Sequence, residues 1–120
     1  MLAVVNLSEK LGRFDDLWNP KIVAQLDGTH VKVVKLHGEF VWHAHADEDE
    51  LFLVLNGRLR IELRDGEVTL GPGELVVIPK GVEHRPVAEE EVHLVLIEKA
   101  GILHTGGVAD SRTVADYERI

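Results

Sequence analysis

The chain contains no cysteine among its 120 residues. Disulfide bonds are therefore excluded, and so is any metal site built on thiolates. A metal ion bound by this chain has to use imidazole nitrogens and carboxylate oxygens. The sequence supplies both, through seven histidines and 21 acidic residues.

The chain also lacks an excess of positive charge and any long hydrophobic run. Its formal net charge is −8, and Arg58, Arg60 and Arg64 alternate with apolar residues as on the wet face of one strand. This balance argues against nucleic acid and against an anionic membrane surface as partners, since both require a basic face. Met1–Val5 is too short for a signal peptide core or a membrane span, so a cytoplasmic location is expected.

The apolar fraction of 45% and the charged fraction of 28% are typical of a globular protein, and the length suits one domain with a single core. We expect a helical extension over residues 1–20, a β-barrel over 21–99 and a tail over 100–120. The tail is expected to pack on the barrel or on a neighbouring copy.

Hydrophobic periodicity predicts a short helix followed by many short strands. Apolar residues over Asn6–Trp18 fit one helical face, with Ser8 as the N-cap. The period then changes to two, and Gly, Asn-Gly, Asp-Gly and Pro-Gly turns separate the segments. Asn56-Gly57 and Asp65-Gly66 are the strongest hairpin signals. The predicted strands are Ile22–Leu26, His30–Leu36, Phe40–His45, Glu50–Asn56, Arg58–Arg64, Glu67–Leu70, Leu75–Ile78, His84–Val87 and His93–Glu98, a pattern that indicates an antiparallel sandwich or barrel.

Four residues form a candidate metal site. His43 and His45 are two apart, so on a strand both project from the same, inward face. Glu50 opens the next strand, and a buried carboxylate beside two imidazoles is best explained by a shared divalent cation. His84 is placed to complete the set from the opposite side. Three nitrogens and one oxygen suit Zn, Mn, Fe, Ni or Cu.

Each of the four residues has an ordinary explanation when it is considered alone. An isolated histidine in a strand is more often half-exposed or satisfied by hydrogen bonds than a ligand. Glu50 ends an acidic run, and such runs are usually solvated loops. It is the joint spacing of His43, His45, Glu50 and His84 that favours a metal site.

This spacing resembles the two conserved motifs of the cupin superfamily. In the first, a glycine precedes His-x-His, a glutamate follows and a glycine ends the segment, as in Gly38, His43, His45, Glu50 and Gly57. The second motif matches in Gly73, Pro79, Gly81 and His84. The resemblance covers about Val31 to Glu98. It implies an antiparallel jelly-roll β-barrel, here with a short N-terminal helix, and assigns His43, His45, Glu50 and His84 as metal ligands.

Two positions depart from the cupin pattern. Gly38 is one residue closer to His43 than usual, which shifts a loop, and Ala88 stands where the second motif ends in asparagine. The segment Asp49–Gly57 is also similar to cupins labelled mannose-6-phosphate isomerase-like.

Two functions remain open. One is a metalloenzyme, dioxygenase- or isomerase-like, acting on a small substrate inside the barrel. The other is a metal-containing binding or regulatory module without turnover. The expected inward positions are almost all apolar, which disfavours a sugar phosphate and favours a small or partly apolar ligand. They are Val41, Phe52, Val54, Leu59, Ile61, Leu63, Val76 and Ile78.

The remaining histidines and the two tryptophans carry weaker expectations. His93 is a weak candidate for a general base if it faces the pocket, and a strand-start position in water is the alternative. His30, His37 and His104 are expected on the surface, although the segment of His104 has the length to cross a pocket mouth. Trp18 and Trp42 either form the apolar interface of a homodimer or pack within one chain.

Overall fold

A computed structural model of the chain describes residues 2–108, 110–114 and 116–120. The predicted segments 1–20 and 100–120 thus include residues outside this description. The elements are α1 (Leu7–Leu11), β1 (Lys21–Leu26), β2 (Thr29–Glu39), β3 (Glu50–Asn56), β4 (Leu59–Leu63), β5 (Gly66–Leu70), β6 (Leu75–Ile78), β7 (His84–Lys99) and β8 (Glu118–Arg119). In the described part of the chain, no helix has the length and hydrophobicity that crossing a bilayer requires.

Helix α1 is shorter than predicted. Asn6, not Ser8, is the N-cap, and its side-chain oxygen accepts a hydrogen bond from the backbone N–H of Glu9. The helix ends at Gly12. The predicted continuation to Trp18 is wrong because Trp18 takes a φ of 58°, outside the helical region, and buries its indole in the core.

Strand β7 organises the sheet. It pairs with β2 along nearly its whole length, while its other edge pairs first with β4 and then with β3. The two predicted strands His84–Val87 and His93–Glu98 are therefore one strand, which corrects the sequence interpretation. The acidic residues between them are exposed where the register against β2 shifts between Leu36 and Gly38, so their charge stays in water without ending the strand.

Only one of the two strongest hairpin predictions is confirmed. Strands β4 and β5 pair through the turn at Asp65, with Leu63 opposite Gly66. Asn56-Gly57 does not form a hairpin, because β3 pairs with β6 and β7 whereas β4 pairs with β5 and β7. The chain instead passes along the edge of β7 at Gly57, which has a φ of 84° and lies so close that an added Cβ would stand 2.7 Å from the carbonyl oxygen of Glu91.

The predicted strand Phe40–His45 is an irregular extended segment. It follows the start of β7 through separate backbone hydrogen bonds, and His43 forms the isolated bridge to His84. Gly81 donates to the carbonyl of His45 at 2.8 Å, which fixes the segment at its far end.

The core lies on two faces of the sheet. The inner cluster contains all eight positions that were predicted to face inward, together with Trp18, which stacks on Phe40 at 4.4 Å between ring centroids. A second cluster lies outside, where Leu11 of α1 packs with Val33 and Val95. Across the described residues the strands curve into a jelly roll but do not close into a complete barrel.

Candidate metal centre

The four predicted ligands come from three segments and meet inside the jelly roll. His43 and His84 exchange two backbone hydrogen bonds of 3.0 and 2.9 Å, which holds their side chains next to each other. His45 follows on the irregular segment, and Glu50 begins β3 opposite Ile78. None of the four exposes more than 5% of its surface.

The ligand atoms of this cluster lie within 4.8 Å of one another. His45 Nε2 is 3.3 Å from one oxygen of Glu50, and His84 Nε2 is 3.5 Å from the other. Separations of this size allow a single ion to contact all four groups after small adjustments, because metal bonds to nitrogen and oxygen are about 2.0–2.2 Å long.

Backbone carbonyls orient two of the imidazoles. The Nδ1 of His43 donates to the carbonyl of Val41 at 2.9 Å, and the Nδ1 of His84 donates to the carbonyl of Val82 at the same distance. A proton on Nδ1 leaves the lone pair on Nε2, which faces the cluster in both residues. The fold therefore presents these two imidazoles in the tautomer that binds a metal.

The electrostatics of the cluster also favour a cation. Burial, and then the neighbouring imidazole of His84, lower the pKa of His43 to about 4, so this ring is neutral at pH 7. Burial alone would raise the pKa of Glu50, but the adjacent imidazoles of His45 and His84 outweigh it and hold that pKa well below its usual range. One carboxylate thus lies close to the neutral imidazole of His43.

Three buried atoms of the cluster have no hydrogen-bond partner among the described residues: His45 Nε2, Glu50 Oε1 and His84 Nε2. Leaving such atoms unpaired costs about 1–3 kcal/mol each, and more when a charge is involved. A divalent ion satisfies all three together, so the residues present fit a metal.

Sequence reasoning missed a buried lysine–glutamate pair beside the cluster. Lys32 is completely buried, and its Nζ lies 2.9 Å from an oxygen of Glu98, which exposes 2% of its surface. Burial, and then the carboxylate of Glu50, raise the pKa of Glu98 against the opposing effect of Lys32. The sequence did contain a signal for the burial of Lys32, since it lies two residues before Val34 and thus shares the inner face of β2.

A narrow cavity of about 30 Å³ adjoins the cluster. His43 and Glu50 contribute to its wall, and apolar side chains form most of the remainder. His104 also lines it, with 6% of its surface exposed and its ring 5.3 Å from that of Phe40. The expectation of a surface position for His104 is wrong because the tail folds back over the jelly roll.

The other histidines lie away from the cluster. His93 is on the outer face of β7, the face shared with Val95, where its Nε2 lies 2.8 Å from a carboxylate oxygen of Glu91. His37 is exposed as expected. His30 is buried, with 8% of its surface exposed, which corrects its predicted surface position.

The tryptophans also differ in their surroundings. Trp18 packs within the chain and donates from its indole N–H to the carbonyl of His37 at 3.0 Å. Trp42 is half-buried, with the guanidinium of Arg64 3.9 Å from its ring centroid. Trp18 is therefore unavailable for an interface, and the homodimer stays a prediction.

Comparison with known proteins identifies the family. A family model described as a cupin domain matches residues 30–98, more than half of the chain. The chain is also 36% identical over 87 residues to the uncharacterized protein YdbB of Bacillus subtilis, and the match covers 71% of each.

Two solved structures share both sequence and fold with this chain. A cupin-2 domain containing protein from Shewanella frigidimarina is 48% identical, with a TM-score of 0.80 over 80% of this chain and 94% of that one. Protein NMB1881 of Neisseria meningitidis is 34% identical, with a TM-score of 0.75 over 82% and 100% of the two chains. The family model, these relatives and the jelly roll agree, and the chain belongs to the cupin family as a small single-domain cupin.

Proposed function

We propose that this cupin binds one divalent transition metal through His43, His45, Glu50 and His84, and takes a small ligand in the adjoining cavity. The observation that carries the proposal is the group of three buried, unpartnered ligand atoms that converge on one point. Zn, Mn, Fe, Ni and Cu all accept this donor set.

When bound, such a metal supplies Lewis acidity to an oxygen or nitrogen atom of the ligand. The chain supplies the rest of the environment. The carbonyls of Val41 and Val82 hold two imidazoles in their binding tautomer, and the apolar wall excludes water and strengthens electrostatic interactions inside the cavity.

The size and lining of the cavity define the class of ligand. A volume of about 30 Å³ holds a ligand of only a few heavy atoms, since one water needs roughly 10–15 Å³ on the same measure. A sugar phosphate is disfavoured on charge as well as size. The buried ammonium of Lys32 is paired with Glu98, and Arg60 and Arg64 are paired with acidic residues on the outside.

A metal-dependent enzyme is the second candidate, and one observation favours it. The imidazole of His104 lines the same cavity as His43 and Glu50, so a group able to exchange protons lies beside the ligand. A binding or regulatory module needs no such group.

Metal analysis of the untagged protein tests the proposal. We expect close to one transition-metal ion per chain, and loss of that ion in the double variant His43→Ala/His45→Ala. The matched control His37→Ala/His93→Ala removes two histidines outside the cluster and should keep the ion. Stoichiometric metal in the first double variant would refute the assignment, provided that fluorescence of the buried Trp18 shows that the variant is folded.

A further inference from the structure

The carboxy-terminal segment, residues 101–120, carries polar groups that the metal centre does not use. Its described part returns across the jelly roll, and β8 ends it by pairing in parallel with β1. Arg112 donates to the carbonyl of Glu39 at 2.7 Å and lies 4.8 Å from the ring centroid of Phe40. Thr105 is fully buried and shares a 2.7 Å hydrogen bond with Thr113. The segment is thus held in place by specific contacts along the part of the chain that follows His104.

His104 has one ring nitrogen in contact with the protein and one without a partner. Its Nδ1 lies 3.3 Å from the hydroxyl of Tyr117. Its buried Nε2 has no partner with hydrogen-bonding geometry among the described residues, although the backbone carbonyls of Trp18 and Arg112 lie near the ring. A buried nitrogen of this kind, in a ring that lines a cavity, has a ligand as its natural partner.

The surroundings of Tyr117 favour a ring proton on Nε2 of His104. The hydroxyl oxygen already accepts the backbone N–H of His104 at 2.6 Å, so its own proton is free to be donated. Burial, and then the carboxylate of Glu98, raise the pKa of Tyr117, so the hydroxyl keeps that proton at neutral pH. Donation to Nδ1 requires a lone pair there, which leaves the ring proton on Nε2.

The ring of His104 is also neutral. Burial, and then the charge of Lys32, lower its pKa despite the nearby carbonyls of Trp18 and Arg112. A neutral imidazole with its proton on Nε2 is a hydrogen-bond donor and has no net charge to attract a remote anion.

We propose that His104 is a binding residue for a small anionic ligand in the cavity, to which its Nε2–H donates a hydrogen bond, and that Tyr117 positions that donor. This inference rests on the proposed function, because the metal cation held by the four ligands is what favours an anion in the adjoining cavity. The class of ligand is narrow: a few heavy atoms, one acceptor atom towards His104, and a negative charge towards the metal.

The binding experiment uses azide as the probe and cobalt(II) as the metal, because cobalt absorption in the visible range reports changes in its ligands. Azide is titrated into the cobalt-loaded wild type, His104→Phe, His104→Gln and Tyr117→Phe. Phenylalanine keeps the stacking on Phe40 but removes the donor, and glutamine places an amide N–H near the position of Nε2.

We expect azide affinity to fall roughly 10- to 100-fold in His104→Phe, the loss typical of a hydrogen bond to a charged group. His104→Gln should recover part of that loss. Tyr117→Phe should weaken azide binding by a smaller factor. The control His37→Phe changes an exposed histidine and should leave azide affinity unchanged. Equal azide affinity in wild type and His104→Phe, with cobalt bound in both, would overturn the role of His104 alone.

Failure of the metal site would give a different result from failure of the His104 role. If the wild type binds no cobalt, the proposed function fails and the anion site fails with it.

A second measurement needs no metal. Long-range ¹⁵N–¹H correlation spectra of the metal-free wild type should show His104 as the Nε2–H tautomer, and Tyr117→Phe should relax that preference. Observation of the Nδ1–H tautomer in wild type would overturn the proposal, even if His104→Phe proved unable to retain cobalt.

Discussion

Removing either partner of the buried Lys32–Glu98 pair should destabilise the protein with opposite dependence on pH. Both side chains are almost fully buried, and the charged groups are 2.9 Å apart. In the form in which both groups are charged, their attraction at an effective dielectric constant of about 20 is about 6 kcal/mol, most of which is offset by loss of hydration. Removing one partner leaves the other charge buried, which typically costs about 3–5 kcal/mol.

The stranded group can escape part of this cost by becoming neutral. Burial and the carboxylate of Glu50 already raise the pKa of Glu98 in the wild type. In Lys32→Met the opposing effect of Lys32 is lost, so the pKa of Glu98 in the folded protein rises further above that in the unfolded chain. The folded state then binds more protons, and the free energy of unfolding falls as the pH rises. In Glu98→Gln, Lys32 releases a proton, its folded pKa lies below the unfolded one, and the free energy of unfolding rises with pH. Each slope reaches at most about 1.4 kcal/mol per pH unit.

Urea denaturation of the metal-free variants between pH 6 and pH 8, followed by Trp18 fluorescence, measures both effects. The double variant Lys32→Met/Glu98→Leu is the control. It should show neither of the two pH slopes, and its free energy of unfolding should be within about 1 kcal/mol of the wild-type value or above it. If both single variants lie within about 0.5 kcal/mol of wild type, or if their slopes have the same sign, Lys32 and Glu98 do not stabilise each other as a buried pair.

Three further predictions concern acid stability, the close contact between Gly57 and β7, and assembly. Because His43 has a pKa of about 4 when folded and about 6.5 when unfolded, the unfolded chain takes up its proton first. Stability of the metal-free protein should thus fall by up to about 3 kcal/mol between pH 6.5 and pH 4, and His43→Gln should remove that part of the fall in urea titrations. Gly57→Ala should cost at least about 1 kcal/mol in thermal unfolding because of its positive φ and its contact with Glu91, whereas Gly66→Ala, which has open space, should be nearly neutral. If Trp42 forms the predicted homodimer interface, Trp42→Ser should reduce the mass found by light scattering from two chains to one; an unchanged mass would exclude that interface.

The sequence contained enough information to predict the jelly roll and to select the four residues of the candidate metal centre. Alternation of apolar residues and the turn residues between them identified most strands, because both are local properties. Strand pairing was harder. Asn56-Gly57 has the residues of a tight hairpin turn, but Gly57 instead serves a close approach to β7 at Glu91, a residue more than thirty positions further along the chain.

The parts of the site that were missed depend on tertiary contacts in the same way. The position of His104 follows from the path of the whole tail, which no periodicity describes. Lys32 and Glu98 could have been found from alternation alone, since each shares the parity of inner-face residues on its own strand. They were missed because charged residues in strands are usually exposed. Only the proximity of the two side chains offsets the free-energy cost of burying each of them.

The length of β7 has a consequence for how the protein unfolds. Strands β2, β3 and β4 each pair with this one strand, so among the described residues its detachment divides the sheet into three separate pieces, β8-β1-β2, β3-β6 and β4-β5. Chains ending before His84 have none of the pairs with β7 and also lack one of the four candidate ligands. Folding therefore waits for contacts between distant parts of the sequence, which makes it slow for a chain of this size. Loss of the metal centre and global unfolding should accordingly occur as a single cooperative event.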